Sequence, residues 1–163
     1  MLAMLPRLRR FAVGLTGSRE AADDLVQAAC ERALSRLHQW TPGTRLDSWM
    51  YRITQTLWIS ELRRQKARGE TVDPALLDSI AEIDDRQAAE TYISLDQALA
   101  ALNTFPEEQR SVLLLVCVEG LSYKEVAEVL DLELGTVMSR LARARSKLRQ
   151  LLRDDETAER ISH

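Results

Sequence analysis

The sequence predicts an all-α protein made of two small helical domains, and three observations support this prediction. Leucine, alanine, glutamate and arginine dominate the 163 residues, and the alternation that marks half-buried strands is nearly absent. Apolar residues recur instead at intervals of three and four, which is the spacing of a helix with one buried face. The composition turns acidic after residue 68 and so divides the helical segments. We therefore expect three helices in a domain over residues 1–68, an acidic linker over 69–87, four helices in a domain over 88–153, and a polar tail over 154–163.

Charge and the rarer residue types exclude several classes of protein. A net charge of −3 does not favour indiscriminate binding of nucleic acid, although the sign varies along the chain. Cys30 and Cys117 lie in apolar helical stretches and are expected to be reduced core residues. The sequence has two histidines, His38 and His163, and no CxxC or HExxH spacing, so we expect no metal site and no cofactor. An enzyme is the least favoured class, because no nucleophile–base pair is visible.

The sequence contains neither a signal peptide nor a membrane-spanning apolar run, and it predicts a soluble cytoplasmic protein.

Two helices are predicted at the N-terminus. The first covers residues 2–15, and Gly17 is expected to end it in a left-handed conformation. Ser18 is placed to cap the second helix, over residues 19–38. The outer face of this second helix, with Asp24, Gln27 and Arg32, is typical of a solvated surface. The spacing of its apolar residues predicts a broad buried face, which comprises Ala22, Leu25, Val26, Ala29, Ala33, Leu34 and Leu37.

A third helix, over residues 46–68, combines aromatic and cationic residues. The TPGT turn at residues 41–44 precedes it, and Thr44 is expected to be its cap. Leu46, Trp49, Ile53 and Leu57 have the spacing of a buried stripe. Aromatic rings beside cations also suit single-stranded nucleic acid, because rings stack on bases and cations bind phosphates. Both interpretations stay open for Trp49 and for Trp40. The cationic cluster ends the helix and comprises Arg63, Arg64, Lys66 and Arg68.

Two further helices are predicted before the last motif. The fourth covers residues 88–102. Thr104 is expected to cap the fifth, with Pro106 in its first turn, and Gly120 is expected to end it. The buried residues expected in the fifth helix are Val112, Leu113, Val116 and Cys117.

The last motif is a predicted helix-turn-helix. Ser122 and Glu125 have the spacing of a capping box, residues 130–133 form the turn, and Gly135 and Thr136 open a helix that is expected to run to about residue 152. That helix has an apolar stripe on one face and hydroxyl and cationic groups on the other. A basic helix of this kind can be merely solvated, but the capped first helix and the short turn favour a helix that reads the DNA major groove. The predicted stripe comprises Val137, Leu141, Ala144, Leu148 and Leu151.

Three segments of the chain match, in order, the motifs of one family. LTGSREAADDLVQAACERAL resembles regions 2.1–2.2, LDSWMYRITQTLWISELRRQKAR resembles regions 2.3–2.4, and FPEEQRSVLLLVCVEGLSYKEVAEVLDLELGTVMSRLARARSKL resembles region 4 of the bacterial extracytoplasmic-function (ECF) sigma factors. These are the small promoter-recognition subunits of RNA polymerase. The resemblance covers nearly the whole chain, and three motifs in order are more specific than a lone helix-turn-helix.

The resemblance implies a protein that binds core RNA polymerase and directs initiation at particular promoters. The helix-turn-helix would read the −35 element, and residues 40–45 would hold a base flipped from the −10 element, because an unpaired base can be trapped in a pocket. The implied partners are the β′ clamp helices and the β flap of polymerase, promoter DNA and an anti-sigma factor. The implied −35 contacts are Thr136, Met138, Ser139, Arg140, Ala142, Arg143, Arg145 and Lys147. The implied −10 contacts are Trp40, Arg45, Trp49, Arg52, Thr56, Arg63, Arg64 and Lys66, and the implied polymerase contacts are Asp24, Gln27 and Arg32.

Several positions depart from the family pattern. Gln55, Thr56 and Ser60 replace residues that the family commonly has on the −10 face. Met138 replaces a cation of the recognition helix and offers an apolar contact, for example to a thymine methyl group. Asp131 stands at a common turn glycine, a position that Asp tolerates. These changes leave open a sigma-like decoy that sequesters an anti-sigma factor. A dimeric helix-turn-helix repressor is a further alternative, although it leaves the first three helices unexplained.

Overall fold

In the computed structural model, which describes residues 2–69 and 100–161, all regular elements of those ranges are helical. After a 3₁₀ turn at Leu2–Met4, the first half consists of helices α1, α2 and α3, which span Leu5–Thr16, Arg19–Ser35 and Leu46–Ala67. The second half contains α4, a π-helical turn, α5 and α6, which span Glu107–Leu113, Leu114–Val118, Tyr123–Leu130 and Leu134–Ile161. The predicted linker beyond Gly69, and the predicted fourth helix up to residue 99, lie outside the described residues; residues 100–103 are helical.

Several predicted helix ends are confirmed at the level of the hydrogen bond. Gly17 has a φ of 74° and ends α1, and the Ser18 hydroxyl accepts a hydrogen bond from the Ala21 N–H at 3.3 Å. The Ser122 hydroxyl accepts from the Glu125 N–H at 3.2 Å, as a capping box requires. Asp131 has a φ of 53° and ends α5 in the left-handed conformation expected for the turn.

The predicted threonine caps are wrong. Thr44 and Thr104 each donate a hydrogen bond of 2.6 Å from the hydroxyl to a carbonyl three residues earlier, so neither hydroxyl binds the helix that follows. Arg45 and Pro106 occupy the cap positions, and neither makes a side-chain cap bond. The reason is local competition, because a threonine hydroxyl can close its own turn instead of capping the next helix.

Helices α2 and α6 also end at other residues than predicted. Helix α2 stops at Ser35, and Leu34 and Leu37 are 59% and 50% exposed instead of buried. The buried stripe of α2 ends at Ala33, where the helix leaves the core. Helix α6 continues to Ile161 through the predicted polar tail, because no glycine or proline follows Gly135 in the sequence.

The π-helical turn changes which residues of its segment are buried. A π turn holds an extra residue and so shifts the buried face. Leu114 and Leu115 are therefore 2% and 0% exposed, whereas Val116 is half-buried. The prediction that Cys117 is a core residue is wrong, because its side chain is exposed. Both cysteines are free, as predicted.

One hydrophobic core extends across both halves. Helix α1 packs on α2 and α3, and it also contacts α4 and the π turn, while α3 packs on α5. The ring of Phe11 meets that of Tyr51 edge-on, with centroids 5.2 Å apart, and both rings are fully buried. Gly14 lies against Leu114, so the absence of a side chain brings α1 close to the second half. This packing fixes how the two predicted DNA-reading surfaces face each other.

Candidate nucleic-acid interface

Helix α6 is held by the predicted apolar stripe. Val137, Leu141 and Ala144 are 0–2% exposed, and burying one large aliphatic side chain stabilises a fold by about 1.5–3 kcal/mol. The opposite face is open to solvent. Met138, Ser139, Ala142, Arg143 and Arg145 are exposed there, whereas Thr136, Arg140 and Lys147 are half-buried.

The cationic side chains of α6 differ in the hydrogen bonds and ion pairs that they make within the protein. The Lys147 ammonium donates to the Thr104 carbonyl at 2.8 Å and lies 4.9 Å from the centroid of the Phe105 ring, so it ties α6 to the start of α4. Arg140 lies 3.8 Å from Glu108. Arg143 has no hydrogen bond or ion pair within the described residues. Among Arg140, Arg143 and Arg145, the arginines predicted at the −35 element, Arg143 is therefore the one whose full bonding capacity is available to a ligand.

A cleft of about 530 Å³ separates α3 from the helix-turn-helix. Its α3 wall carries four of the predicted −10 residues, and its other wall includes Arg140 and Leu130–Leu132 of the helix-turn-helix turn. The structure thus brings residues of the two predicted DNA sites around one cleft. The four α3 residues are Arg52, Thr56, Arg63 and Lys66, all exposed; Arg64 is exposed on α3 but does not line this cleft.

A second cleft, of about 370 Å³, lies between the end of α2 and α3. It joins Trp49, Arg52 and Thr56 to Arg32, a predicted polymerase contact. Sequence reasoning missed two more polar residues of this cleft, Arg36 and Gln39. The spacing of four between Arg32 and Arg36 was the available signal, because such residues share a helix face.

The loop predicted to capture a base, residues 40–45, is anchored at its C-terminal end through Arg45. The half-buried Trp40 has a buried indole N–H without a partner in the described part of the chain. Arg45 donates to both carboxylate oxygens of Asp47, at 3.1 and 2.6 Å, and also to Glu125 of α5. Burial opposes ionisation of Asp47, but the bonds from Arg45 and from the Ser48 N–H prevail and lower the pKa of this carboxyl.

The aromatic and amide residues of α3 divide between core and surface. Tyr51 and Trp58 are buried and Trp49 is half-buried, so Trp49 is the α3 aromatic that a ligand can reach. Gln55, predicted on the −10 face, lines the cleft beside Arg52 and Thr56 but is largely buried. Gln55 is 9% exposed and accepts a hydrogen bond of 3.1 Å from the Ser111 hydroxyl of α4, so it belongs to the contact between the halves.

The polymerase-binding prediction concerns α2. Asp24 and Gln27 are exposed there, and Gln27 donates to Glu31 at 3.4 Å. Arg32 is half-buried in the second cleft and so faces Trp49. Arg32 therefore has different surroundings from the exposed Asp24 and Gln27.

Comparison with known proteins places both halves of the chain. The family model for sigma-70 region 4 matches residues 95–148, and the model for the sigma2 domain of PhyR matches residues 1–55. The ECF RNA polymerase sigma factor EcfG of Rhodopseudomonas palustris is 37% identical over 93% of this chain and 82% of its own length. The chain belongs to the ECF sigma factors. The sigma factor SigM of Mycobacterium tuberculosis is 35% identical over 90% of this chain and 71% of its own.

Solved structures show the same fold as this sigma factor. The sigma factor RpoE of Bartonella quintana, in complex with the anti-sigma factor NepR, matches with a TM-score of 0.78 and 28% identity over 93% of both chains. The anti-anti-sigma factor PhyR of the same organism, also complexed with NepR, matches with a TM-score of 0.60 and 21% identity over 91% of this chain and 47% of its own. The PhyR comparison supports the fold alone. Together these findings confirm the predicted family and the all-α fold.

Two absences concern the described residues only. None of their helices is both long enough and apolar enough to cross a membrane. Residues 2–69 and 100–161 also hold no group of three potential metal-ligating side chains. The family consists of DNA-binding transcription regulators and not of enzymes.

Proposed function

We propose that this sigma factor binds core RNA polymerase and directs it to promoters whose −35 and −10 elements are read by its two halves. The observation that carries the proposal is the exposed face of α6. The apolar stripe of this helix is buried in the core, whereas Ser139, Ala142 and Arg143 are exposed to solvent. A helix that is packed on one face and exposed on the other can enter the major groove of DNA. There an Arg side chain can bind the edge of a guanine, and a Ser hydroxyl can donate to or accept from a base edge.

In the proposed complex the second half, residues 88–153, reads the −35 element. Arg143 is the leading contact to a base or a phosphate, and Met138 offers its apolar side chain to a thymine methyl group. Arg140 and Arg145 are assigned to phosphates. Lys147 is assigned a weaker part, because its ammonium is already bound to the Thr104 carbonyl and the Phe105 ring.

The first half, residues 1–68, is assigned the melted −10 strand. Trp49 offers a ring for stacking beside the guanidinium group of Arg52, and the nearby Arg32 adds a third group to the same cleft. Stacking and cations together bind single-stranded DNA, at about 1–3 kcal/mol for each stacked base. The loop over residues 40–45 would hold the flipped base, and Arg63, Arg64 and Lys66 would follow the strand.

The proposed protein partners follow the family. Asp24 and Gln27, exposed on α2, would contact the β′ clamp helices of polymerase, and the second half would contact the β flap. Each half alone is expected to bind promoter DNA weakly, and polymerase would hold both at a fixed separation so that their free energies combine. An anti-sigma factor is the proposed inhibitor, as the RpoE–NepR complex illustrates for a relative. The proposed site of action is the cytoplasm.

Transcription of sheared genomic DNA by core polymerase, with and without the purified chain, tests this function. We expect new RNA 5′ ends that appear only with the chain and that share a −35 and a −10 motif. If core polymerase gained no start sites although it bound the chain, the proposed promoter recognition would be refuted.

A sigma-like decoy is the second candidate function, and one observation favours it. The model that matches the first half is named for PhyR, an anti-anti-sigma factor in the solved complex. Coverage argues for the sigma factor, because the chain matches 93% of RpoE but 47% of PhyR. A decoy would bind an anti-sigma factor but would neither bind core polymerase nor create start sites, so the same transcription assay separates the two functions.

A further inference from the structure

Glu119 is a buried carboxylate at the junction of the two halves. Its side chain is 0% exposed and follows the π turn. Arg10 donates two hydrogen bonds to the two carboxylate oxygens, at 3.0 and 2.9 Å. The Tyr51 hydroxyl donates a third hydrogen bond at 2.8 Å. The guanidinium Nε of Arg7 lies 3.9 Å from Oε2 of Glu119. The donors belong to α1 and α3, whereas the carboxylate belongs to the second half.

This arrangement links the contact between the halves to one buried carboxylate. A buried carboxylate is tolerated only when it is paired and hydrogen-bonded, because its desolvation is otherwise costly. All the observed donors come from the first half, so Glu119 can stay buried only while the halves are together. If they separate, water replaces the donors, and the contact is lost as a unit.

Further hydrogen bonds join the two halves. The Arg110 guanidinium of α4 donates to the Leu15 carbonyl of α1 at 2.9 Å. Ser111 donates to Gln55, and the Trp58 indole donates to Glu107. These bonds align α4 with α1 and α3, and they place the helix-turn-helix opposite α3.

In the closed arrangement the helix-turn-helix stands opposite the proposed −10 face, across the cleft of about 530 Å³. Arg45 donates a hydrogen bond to Glu125 of α5, so a DNA strand would compete with that carboxylate for the guanidinium. Arg52, Arg63 and Lys66 line a cleft whose other wall is the helix-turn-helix. A strand that followed the α3 cations would have to displace this wall.

We propose that Glu119, with Arg10 and Tyr51, forms a latch that holds the chain closed and keeps the α3 face from single-stranded DNA until the halves part. The DNA-binding part of this inference rests on the proposed function, whereas the closure itself does not. A ligand that binds only the open form has its affinity reduced by the fraction of molecules that are open. Breaking the latch should therefore increase binding without changing any residue that touches DNA.

The test uses Glu119→Gln in the full chain, with Asp23→Asn as the matched control. Both substitutions remove one negative charge, but Asp23 pairs with Arg9 within the first half, 2.8 Å away on the surface. Fluorophores at Glu20→Cys on α2 and Glu128→Cys on α5, with Cys30→Ser and Cys117→Ser, report the distance between the halves without polymerase or DNA. A fluorescent oligothymidylate reports the affinity of the α3 face.

We expect Glu119→Gln to lengthen the distance and to raise oligothymidylate affinity about tenfold over Asp23→Asn, as loss of a charged hydrogen bond predicts. Arg10→Met, which lies on the other side of the latch with a side chain 54% exposed, should lengthen the distance as well. If Glu119→Gln loses its helical circular dichroism and so fails to fold, the distance measured in Arg10→Met decides whether the latch exists. An unchanged distance in folded variants overturns the latch. A longer distance without a gain in affinity over Asp23→Asn overturns the shielding of the α3 face, whereas failure of the proposed transcription function alone would leave the distance result intact.

Discussion

Arg45 and Glu125 join the loop before α3 to the capping box of α5. Arg45 donates from Nη1 to Oε2 of Glu125, while Oε1 of the same carboxylate accepts from the Ser122 hydroxyl at 3.0 Å. One carboxylate therefore supports the start of the helix-turn-helix and also holds the loop proposed to capture a promoter base. The side chain of Glu125 is 24% exposed, so the pair lies at the rim of the contact between the halves.

Removal of the α5 cap should destabilise the helix-turn-helix. We expect Ser122→Ala to lower the free energy of unfolding by about 1 kcal/mol, because the Glu125 N–H loses its acceptor. Urea unfolding followed by circular dichroism measures the change. Ser122→Thr should restore most of it, since Thr also caps helices and keeps a hydroxyl that can donate to Glu125. The matched control is Ser146→Ala, an exposed position inside α6, where alanine favours the helix. Equal stability of Ser122→Ala and wild type would contradict the prediction.

Charge reversal at Arg143 should abolish promoter reading at the −35 element. Loss of one bidentate base contact costs about 1–3 kcal/mol, and reversal adds repulsion from phosphates, so Arg143→Glu should reduce −35-dependent transcription by tenfold or more. Affinity for core polymerase should not change. Arg153→Glu provides the same change of charge on the exposed surface of α6, ten residues further along the helix. Normal transcription by Arg143→Glu on its mapped promoters would disprove the assignment.

Local signals explain what the sequence predicts well. The capping serines Ser18 and Ser122 and the left-handed Gly17 act within four residues of the helix end, so a single segment contains all the information. The stripe of α6 is equally local, because one face of one helix fixes which residues turn inward. These signals suffice for the helical class and for the exposed face of α6.

The contact between the halves has no local signal. Arg10 and Glu119 are 109 positions apart, and Gln55 and Ser111 are 56 apart, so no spacing in the sequence predicts either pair. A glutamate beside glycine at the end of an apolar helix resembles a surface residue, yet Glu119 is buried. The π turn is likewise invisible in the pattern, and it moves Cys117 from the predicted core to the surface. Threonine caps fail for a different reason, because two local hydrogen bonds compete for one hydroxyl.

Glu107 should make the stability of the chain depend on pH. Burial raises the pKa of this carboxyl above its usual value of 4.5, and the attraction of Arg110 and the hydrogen bond from the Trp58 indole oppose the shift. A folded-state pKa above the unfolded value means that the native state binds protons more tightly. The contribution of Glu107 to stability is therefore full below pH 4.5 and is lost as the pH rises through the raised folded pKa.

Glu107→Gln should remove this pH dependence while it keeps an oxygen that can accept from Trp58. The free energy of unfolding of wild type, relative to Glu107→Gln, should fall as the pH rises above 4.5. Urea unfolding at several pH values measures this difference. Trp58→Phe removes the donor that favours the ionised form, so it should raise the pKa of Glu107 further and extend the pH-dependent range upward. A difference between wild type and Glu107→Gln that increased with pH would refute the assignment.

The close contact between α1 and the π turn should require a glycine at position 14. A Cβ atom built at Gly14 would lie 2.5 and 2.8 Å from the two methyl groups of Leu114, which is 2% exposed in the π turn. Alanine gains up to about 1 kcal/mol of helix propensity over glycine, but overpacking a core costs about 1–3 kcal/mol. Because Leu114 is enclosed, we expect the clash to prevail and Gly14→Ala to lower the free energy of unfolding.

The double variant Gly14→Ala with Leu114→Val tests this cause. Leu114→Val alone should destabilise the chain, since it removes one buried methylene group. The pair should be more stable than the sum of the two single effects predicts, because the shorter side chain makes room for the new methyl group; contacting residues commonly couple by about 0.5–3 kcal/mol. Gly135→Ala, at a helical position where an added Cβ meets open space, is the control and should not be destabilising. If Gly14→Ala and Leu114→Val changed the free energy of unfolding additively, the side chains at the two positions would not clash.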